Sequence, residues 1–296
     1  MITAMNSDFF NINRFGRYLV TDIRNAIARY GISLLVMASI SIAGYLLAGF
    51  FSTFLGQGWY SMNLVYRITL FVISAVVILI SSPSKIYGFF TDKKEGSSFL
   101  TMPVSTMERT VSMVIVCCIA VPFAFLAIYL SLDQIVCLLD RSCGESIIMA
   151  VNDGQYYLSN VMGKMYSEIG SVMPDFEDIK AFSNPWLYYD DMAGSLLIFL
   201  LGALWFKSSK PAKTIGFMIL FSIVLSMLLT PILTHGVLER FQEAANSGMS
   251  PEELMDSFPL ITWMVKHAVL TDTLSDTFVN VLLFVLIWLR VKKMEH

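Results

Sequence analysis

Long apolar runs, separated by shorter polar stretches, dominate the pattern of this sequence. The three longest cover residues 31–54, 111–132 and 213–237. Each approaches or exceeds the roughly 20 residues that an α-helix needs to cross about 30 Å of hydrocarbon. The pattern therefore predicts a transmembrane helix at each of these positions.

Three shorter apolar runs predict further spans, at residues 68–82, 192–206 and 277–289. Tyrosines and tryptophans flank these runs, which is typical of helix ends at the membrane surface. A re-entrant or interfacial helix is the alternative for each of them, because short apolar runs alone are ambiguous. With all six spans, the predicted fold is an all-α polytopic membrane protein.

The composition agrees with this fold class. Of 296 residues, 56% are hydrophobic and only 15% are charged, against about 25% charged residues in an ordinary soluble domain. No short apolar segment with a small-residue cleavage site precedes the first long run. We therefore expect that run to be a retained helix and not a signal peptide.

The basic residues fall mainly on one side of the six predicted spans. Fourteen of the 20 Lys and Arg residues lie in the N-terminal segment, the second and fourth connections and the C-terminal tail. Connections rich in Lys and Arg stay in the cytoplasm, so both termini are predicted to be cytoplasmic. Seventeen of the 23 Asp and Glu residues fall on the opposite, outer side.

Residues 1–30 are predicted to form a cytoplasmic segment before the first span, with an amphipathic elbow helix at residues 10–30. Apolar residues recur there every three or four positions, at Ile12, Phe15, Leu19, Ile23, Ile27 and Tyr30. The segment is also rich in arginine, and anionic lipid attracts each such side chain by about 1 kcal/mol. We expect the helix to lie along the inner headgroups; a cytosolic helix packed on a partner is the alternative.

The cytoplasmic connection at residues 83–110 contains several local signals. Pro83 is expected to end the helix before it, because proline removes a backbone donor. Ser105 and Glu108 have the spacing of a capping box, which predicts a new helix start. Apolar residues lie beside a charged stretch that includes Lys93, Lys94 and Glu95, so this connection could contact a partner or the bilayer; the apolar residues are Phe89, Phe90, Phe99 and Leu100. An ordinary structured loop is the alternative.

The outer connections at residues 133–191 and 238–276 are acidic and too small to be independent domains, so residues 31–296 are predicted to form a single transmembrane domain. Cys137 and Cys143 begin the first of these connections, in a compartment that could be oxidising. Residues six apart in a helix are separated by about 9 Å, which is too far for a disulfide. A bond between these cysteines therefore requires a turn near Asp140; two free thiols are the alternative.

The centres of the predicted spans contain no Asp, Glu, Lys, Arg or His. Ion-coupled transporters and intramembrane hydrolases depend on such groups, so neither class is favoured. Arg67, Asp276 and His235 lie near outer ends of spans, where we expect snorkelling or headgroup contact. Cys117 and Cys118 lie within the third span and are predicted to be packing residues.

No motif for a metal, a cofactor or a nucleotide is recognisable. The three histidines are scattered, with no second histidine four positions away, which argues against a zinc site. Gly163 and Lys164 resemble part of a phosphate-binding loop, but Leu158 and Met165 occupy two of its defining positions. We therefore predict no enzyme activity and no nucleic-acid partner.

Residues 99–109 read FLTMPVSTMER. This segment resembles the L-P-x-S-x-x-E-[KR] stretch at the cytoplasmic start of the third span in permease subunits of type 2 ATP-binding cassette (ABC) exporters, in a divergent form like those of Bacteroidota. Met102 replaces the usual Leu. The matching positions are Pro103, Ser105, Glu108 and Arg109. The layout of an elbow helix and six spans extends the resemblance over nearly the whole chain.

The resemblance implies a transport subunit in a bacterial inner membrane. In this family the connection after the second span contacts a separate ATPase subunit, which alone binds ATP, and two permease copies or homologues form the translocation path. The implied ATPase contact in this chain comprises Phe89, Phe90, Lys93, Lys94, Glu95, Pro103, Ser105, Glu108 and Arg109. Membrane lipid is a further expected partner.

Two other hypotheses compete with the exporter. The first is a membrane scaffold or sensor whose outer connections bind a ligand and whose cytoplasmic connection recruits a partner without transport. The second is a membrane-embedded transferase or protease. The sequence indicates no particular substrate, because the many Ser and Met residues of the spans suit helix packing as well as ligand binding.

Overall fold

The computed structural model describes residues 10–56, 58–59, 63–91, 104–140, 143, 145–150, 152, 185–233 and 268–295. Within these residues the regular structure is entirely helical. The all-α prediction is confirmed for this part of the chain. The three histidines, the Gly163-Lys164 pair and most of both outer connections lie outside it.

The long helices follow one another along the chain as α1 (Ile12–Ala38), α2 (Ile40–Phe54), α3 (Leu64–Tyr87), α4 (Thr106–Ile115), α5 (Val121–Leu139), α6 (Pro185–Trp205), α7 (Lys210–Leu233) and α8 (Ala268–Glu295). A 3-10 turn, Gly88–Thr91, follows α3 directly. A π-helical turn, Val116–Ala120, joins α4 to α5.

Five helical stretches in the described residues are long and apolar enough to cross a membrane. They are Ile12–Phe54, Leu64–Thr91, Thr106–Leu139, Lys210–Pro231 and Leu270–Met294. These stretches contain four of the six apolar runs that the sequence pattern singled out, and they contain the run at residues 213–237 as far as Pro231. The remaining run, residues 192–206, lies almost entirely in α6. The described chain therefore has the helices of a multi-span membrane protein.

Helix α6 forms the centre of the packing. Leu196, Leu200, Ala203 and Leu204 on this helix are all 0% exposed, and α6 contacts α3, α7 and α8. Helix α7 is the opposite case, because only 6% of its most apolar stretch is buried. An apolar helix without protein cover on most of its surface has its natural environment in lipid.

The predicted elbow segment and the first span share one helix, because α1 continues without a break through Gly31 to Ala38. The predicted apolar face divides in two: Phe15 and Tyr30 are buried, whereas Ile12 and Ile27 are 69% and 64% exposed. The protein-facing side of α1 therefore differs from the predicted face by part of a turn.

The prediction that Pro83 ends its helix is wrong. Helix α3 continues past Pro83 to Tyr87. A proline inside a helix costs roughly 3 kcal/mol, but the residues that follow it are well packed, since Ile86 and Tyr87 are 2% and 1% exposed. Burial of these two large side chains offsets the lost backbone hydrogen bond.

The π-helical turn lies next to a proline. Pro122 has no N–H to donate to the carbonyl of Cys118 four residues earlier, and the hydroxyl of Tyr189 in α6 donates to that oxygen at 2.8 Å. Cys117 and Cys118 in this turn are 0% and 4% exposed, so their predicted packing role is confirmed.

Candidate functional site

The described helices meet at two ends of different composition. The basic end is the end of the bundle where the helices meet the Lys- and Arg-rich connections. It is marked by Asn11, Gly88, Ser105, Trp205 and Arg290. The acidic end is the opposite end, where the helices meet the acidic connections. It is marked by Tyr45, Arg67, Asp133, Asp190 and Asn280. The connection that resembles the exporter motif begins and ends at the basic end.

Glu108 fixes the start of α4 to the start of α1. Its carboxylate accepts hydrogen bonds from Arg14 Nε at 2.8 Å and Arg14 Nη2 at 2.9 Å, and from the backbone N–H of Asn11 at 2.6 Å. It also closes the predicted capping box with Ser105, which is confirmed. Glu108 is 0% exposed, so one carboxylate serves two helix ends.

The first residues of the connection also pack on α1. The Arg29 guanidinium lies 3.4 Å above the centre of the Phe89 ring, and Phe89 stacks on Phe90 with the ring centres 4.6 Å apart. Phe90 is 6% exposed. A cation over an aromatic face is attractive, so the connection is attached to α1 at both of its described ends.

Two further helices hold the same region. Lys210 at the start of α7 donates to the carbonyl of Gly88, and Thr91 Oγ1 donates to the carbonyl of Phe206, just after α6, at 3.5 Å. A Cβ at Gly88 would meet the Lys210 side chain, so the two residues are closely packed. The connection thus touches α1, α6 and α7.

A buried polar cluster joins α1, α3 and α4 near the basic end. Asp22 in α1 is 2% exposed and accepts hydrogen bonds from the Tyr87 hydroxyl at 2.8 Å and the Ser112 hydroxyl at 2.6 Å. Sequence reasoning missed this carboxylate. The available signal was its spacing of four residues from Tyr18 and Ala26, which share its buried face.

The residues implied as an ATPase contact have different environments. Phe90, Glu108 and Arg109 are buried, with Arg109 only 1% exposed. Phe89 is partly buried and Ser105 caps α4. The other four, Lys93, Lys94, Glu95 and Pro103, lie outside the described residues.

The acidic end contains a second ion pair. Arg67 in α3 donates to Asp133 in α5 from Nε at 2.9 Å and from Nη2 at 2.6 Å. Arg67 Nη1 donates to the carbonyls of Cys143 and Glu145 at 3.2 and 3.0 Å. Both charged residues are 2% exposed. The expectation that Arg67 snorkels to the headgroups is therefore wrong, because a carboxylate and carbonyls satisfy it inside the protein.

The two cysteines near this pair are free thiols. The turn that a disulfide requires is present: α5 ends at Leu139, the next residue Asp140 has an extended backbone, and the Cys143 N–H donates back to the Asp140 carbonyl at 3.1 Å. Burial raises the pKa of the Cys143 thiol to about 11. This thiol is therefore protonated near neutral pH.

Asp190 and Asn280 join α6 to α8 at the acidic end. The Asn280 amide donates to Asp190 Oδ1 at 2.7 Å and to the Asp190 carbonyl at 3.2 Å. Asp276, one turn before Asn280, is partly buried. Among the described residues, no group of three His, Cys, Asp or Glu side chains could hold a metal ion.

Comparison with known protein families, with curated proteins and with solved structures finds no match to this chain. The site must therefore be interpreted from its own contacts. Among the described residues these are ion pairs, hydrogen bonds and ring contacts between helix ends.

Proposed function

We propose that the chain is the transmembrane permease subunit of an ATP-driven exporter of the ABC type. In this proposal six helices cross a bacterial inner membrane with both termini inside, and residues 1–30 include the elbow. A separate ATPase subunit binds the ATP and contacts the connection at residues 83–110. The observation that supports it best is the attachment of this connection to three other helices.

The described contacts would convert a push on the connection into helix movement. Gly88 is held by Lys210 of α7, Phe89 lies against Arg29 of α1, and Glu108 binds Arg14 of α1. Hydrogen bonds to charged groups contribute about 1.5–3 kcal/mol each. A displacement of the middle of the connection therefore acts on α1 and α7 together.

Burial divides the implied contact residues into two roles. Phe90, Glu108 and Arg109 are covered by their own chain, so we assign them to holding the connection in place. The direct ATPase contact then falls to Lys93, Lys94 and Glu95, with the partly buried Phe89 beside them. Charged residues on a short connection suit recognition of a partner surface.

We place membrane lipid and a second permease copy against α7. Its exposed side chains include Phe217, Leu220, Phe221 and Leu228, which are 56–62% exposed. Such a surface is stable only against hydrocarbon or another apolar helix.

Co-purification tests the proposal. The chain is purified from its native membrane in a mild detergent, and mass spectrometry identifies an ATP-binding subunit. The variant Lys93→Glu with Lys94→Glu should lose this subunit, whereas the matched control Lys292→Glu with Lys293→Glu, at the end of α8, should retain it. Failure to recover an ATPase with the wild-type chain in several gentle detergents would favour the scaffold or sensor.

A further inference from the structure

An open cavity of about 420 Å³ lies at the start of α1. Its lining includes Arg14, Arg17, Tyr18 and Thr21 from α1 and Val104 from the residues before α4. This volume is within the roughly 300–1,000 Å³ range of small-molecule sites in proteins. The cavity is distinct from the contacts that attach the connection to α7.

The charge of the lining selects an anion. Among the described lining residues none is acidic, and the Glu108 carboxylate beside the cavity is 0% exposed and bound to Arg14. Arg17 is exposed; its carbonyl accepts from the Thr21 hydroxyl at 3.0 Å, and its guanidinium makes no hydrogen bond or ion pair with any residue that the structure describes. A guanidinium with free donors binds phosphate oxygens in a forked geometry.

The position of the cavity indicates where this anion comes from. Glu108 precedes by three residues the apolar run that starts at residue 111, a rise of about 4.5 Å along a helix. If the predicted span begins at residue 111, Glu108 and the Arg14 side chain that it binds lie at the level of lipid headgroups. Ile12 and Val20 on the same helix are 69% and 59% exposed, so apolar surface suited to acyl chains lies beside the cationic cavity.

We propose that this cavity binds the phosphate-bearing headgroup of an anionic phospholipid, with Arg17 contacting the phosphate. The bound lipid would stabilise the start of α1 beside the Arg14–Glu108 pair. This site does not depend on the exporter proposal, because it requires only the described residues of α1 and α4.

Native mass spectrometry of the delipidated full chain tests the site. The protein is titrated with dioleoylphosphatidylglycerol, with dioleoylphosphatidylcholine and, separately, with inorganic phosphate. The wild type should prefer the anionic lipid, and Arg17→Gln should reduce that preference by about tenfold, as expected for the loss of one charge-assisted hydrogen bond. Arg24→Gln is the matched control, since Arg24 is an exposed arginine of the same helix outside the cavity lining.

Three results would overturn the proposal: equal binding of the two lipids, equal losses in the Arg17 and Arg24 variants, or inorganic phosphate that binds with the same Arg17 dependence while the lipid preference is absent. The last result would assign the cavity to a free phosphate compound. A circular dichroism spectrum of Arg17→Gln that matches the wild type shows that a loss of lipid binding is not a loss of fold.

Discussion

The two ends of the bundle each contain an ion pair that joins two helices, but the pairs have different surroundings. At the acidic end, the side chains of Arg67 and Asp133 are both 3% exposed. At the basic end, the Glu108 side chain is 0% exposed but the Arg14 side chain is 37% exposed. One pair is enclosed on both sides, and the other is open to solvent on its cationic side.

The additional partners of the two pairs reinforce this difference. Asp133 also accepts from the backbone of Ile147 at 2.9 Å, and Arg67 binds two carbonyls, so the acidic-end pair holds α3, α5 and the start of the outer connection together. The partly exposed Arg14 can exchange its contact for water at much lower cost. We infer that the acidic end stays fixed while the basic end can open.

The largest effect is expected from Asp133→Ala, because it leaves the Arg67 guanidinium uncompensated in the interior. Breaking a buried ion pair from one side costs about 3–5 kcal/mol. Denaturant titration in detergent should show this decrease in the free energy of unfolding. The double variant Arg67→Met with Asp133→Leu should recover much of the loss, since it removes both charges. A double variant as unstable as the single one would contradict our account of this end.

Gly202→Ala should cause the next largest decrease in the free energy of unfolding, about 1–3 kcal/mol, which is the usual cost of overpacking. A Cβ at Gly202 in α6 would collide with the Thr214 hydroxyl in α7, and Thr214 is 3% exposed. Gly216→Ala is the control, because nothing lies within 4 Å of a Cβ there. Alanine should stabilise the helix at that position by up to about 1 kcal/mol. Similar losses of stability in both variants would argue against close contact between α6 and α7.

Glu108→Gln should cost about 1–2 kcal/mol, from a weaker charged hydrogen bond to a partly exposed partner. The salt dependence of the stability loss distinguishes the two ends more clearly. Raising the ionic strength to about 1 M should shrink the loss in Glu108→Gln, because salt screens an exposed charge, and should leave the loss in Asp133→Ala nearly unchanged. An equal salt response of the two variants would mean that the pairs do not differ in exposure.

The smallest effect concerns Cys143, whose raised pKa follows from burial at the acidic end. Maleimide reacts with the thiolate, so labelling should be slow near pH 7 and rise about tenfold per pH unit up to the pKa. Cysteine introduced by Ser275→Cys at an exposed position should label rapidly throughout. Rapid labelling of Cys143 at neutral pH, or its oxidation to a disulfide with Cys137, would show that this end is more open than described.

The features that were predictable from sequence are local. The capping box needs only Ser105 and Glu108, three residues apart, and both are in place. The apolar runs predict helices because the length of a span is set by the membrane and not by tertiary contacts. The all-α fold of the described residues and the positions of most of their long apolar helices could be predicted for this reason.

The features that were missed depend on distant partners. Arg67 and Asp133 are 66 residues apart in sequence, and nothing local shows that one satisfies the other. Asp22 accepts hydrogen bonds from Tyr87 and Ser112, which belong to two other helices, and no local pattern around Asp22 indicates these partners. Pro83 usually indicates a helix end, but here the burial of Tyr87 stabilises the helix beyond it.

Both ion pairs are attached to the same continuous helical stretch, Thr106–Leu139, at points about 38 Å apart at 1.5 Å per residue. The π-helical turn at Val116–Ala120 lies between them, and there the ladder of backbone hydrogen bonds is interrupted by Pro122. This stretch therefore resembles a lever with a joint between its two attachment points. Bending at the π-helical turn would displace Glu108 and the start of α4 while Asp133 keeps its contacts with Arg67.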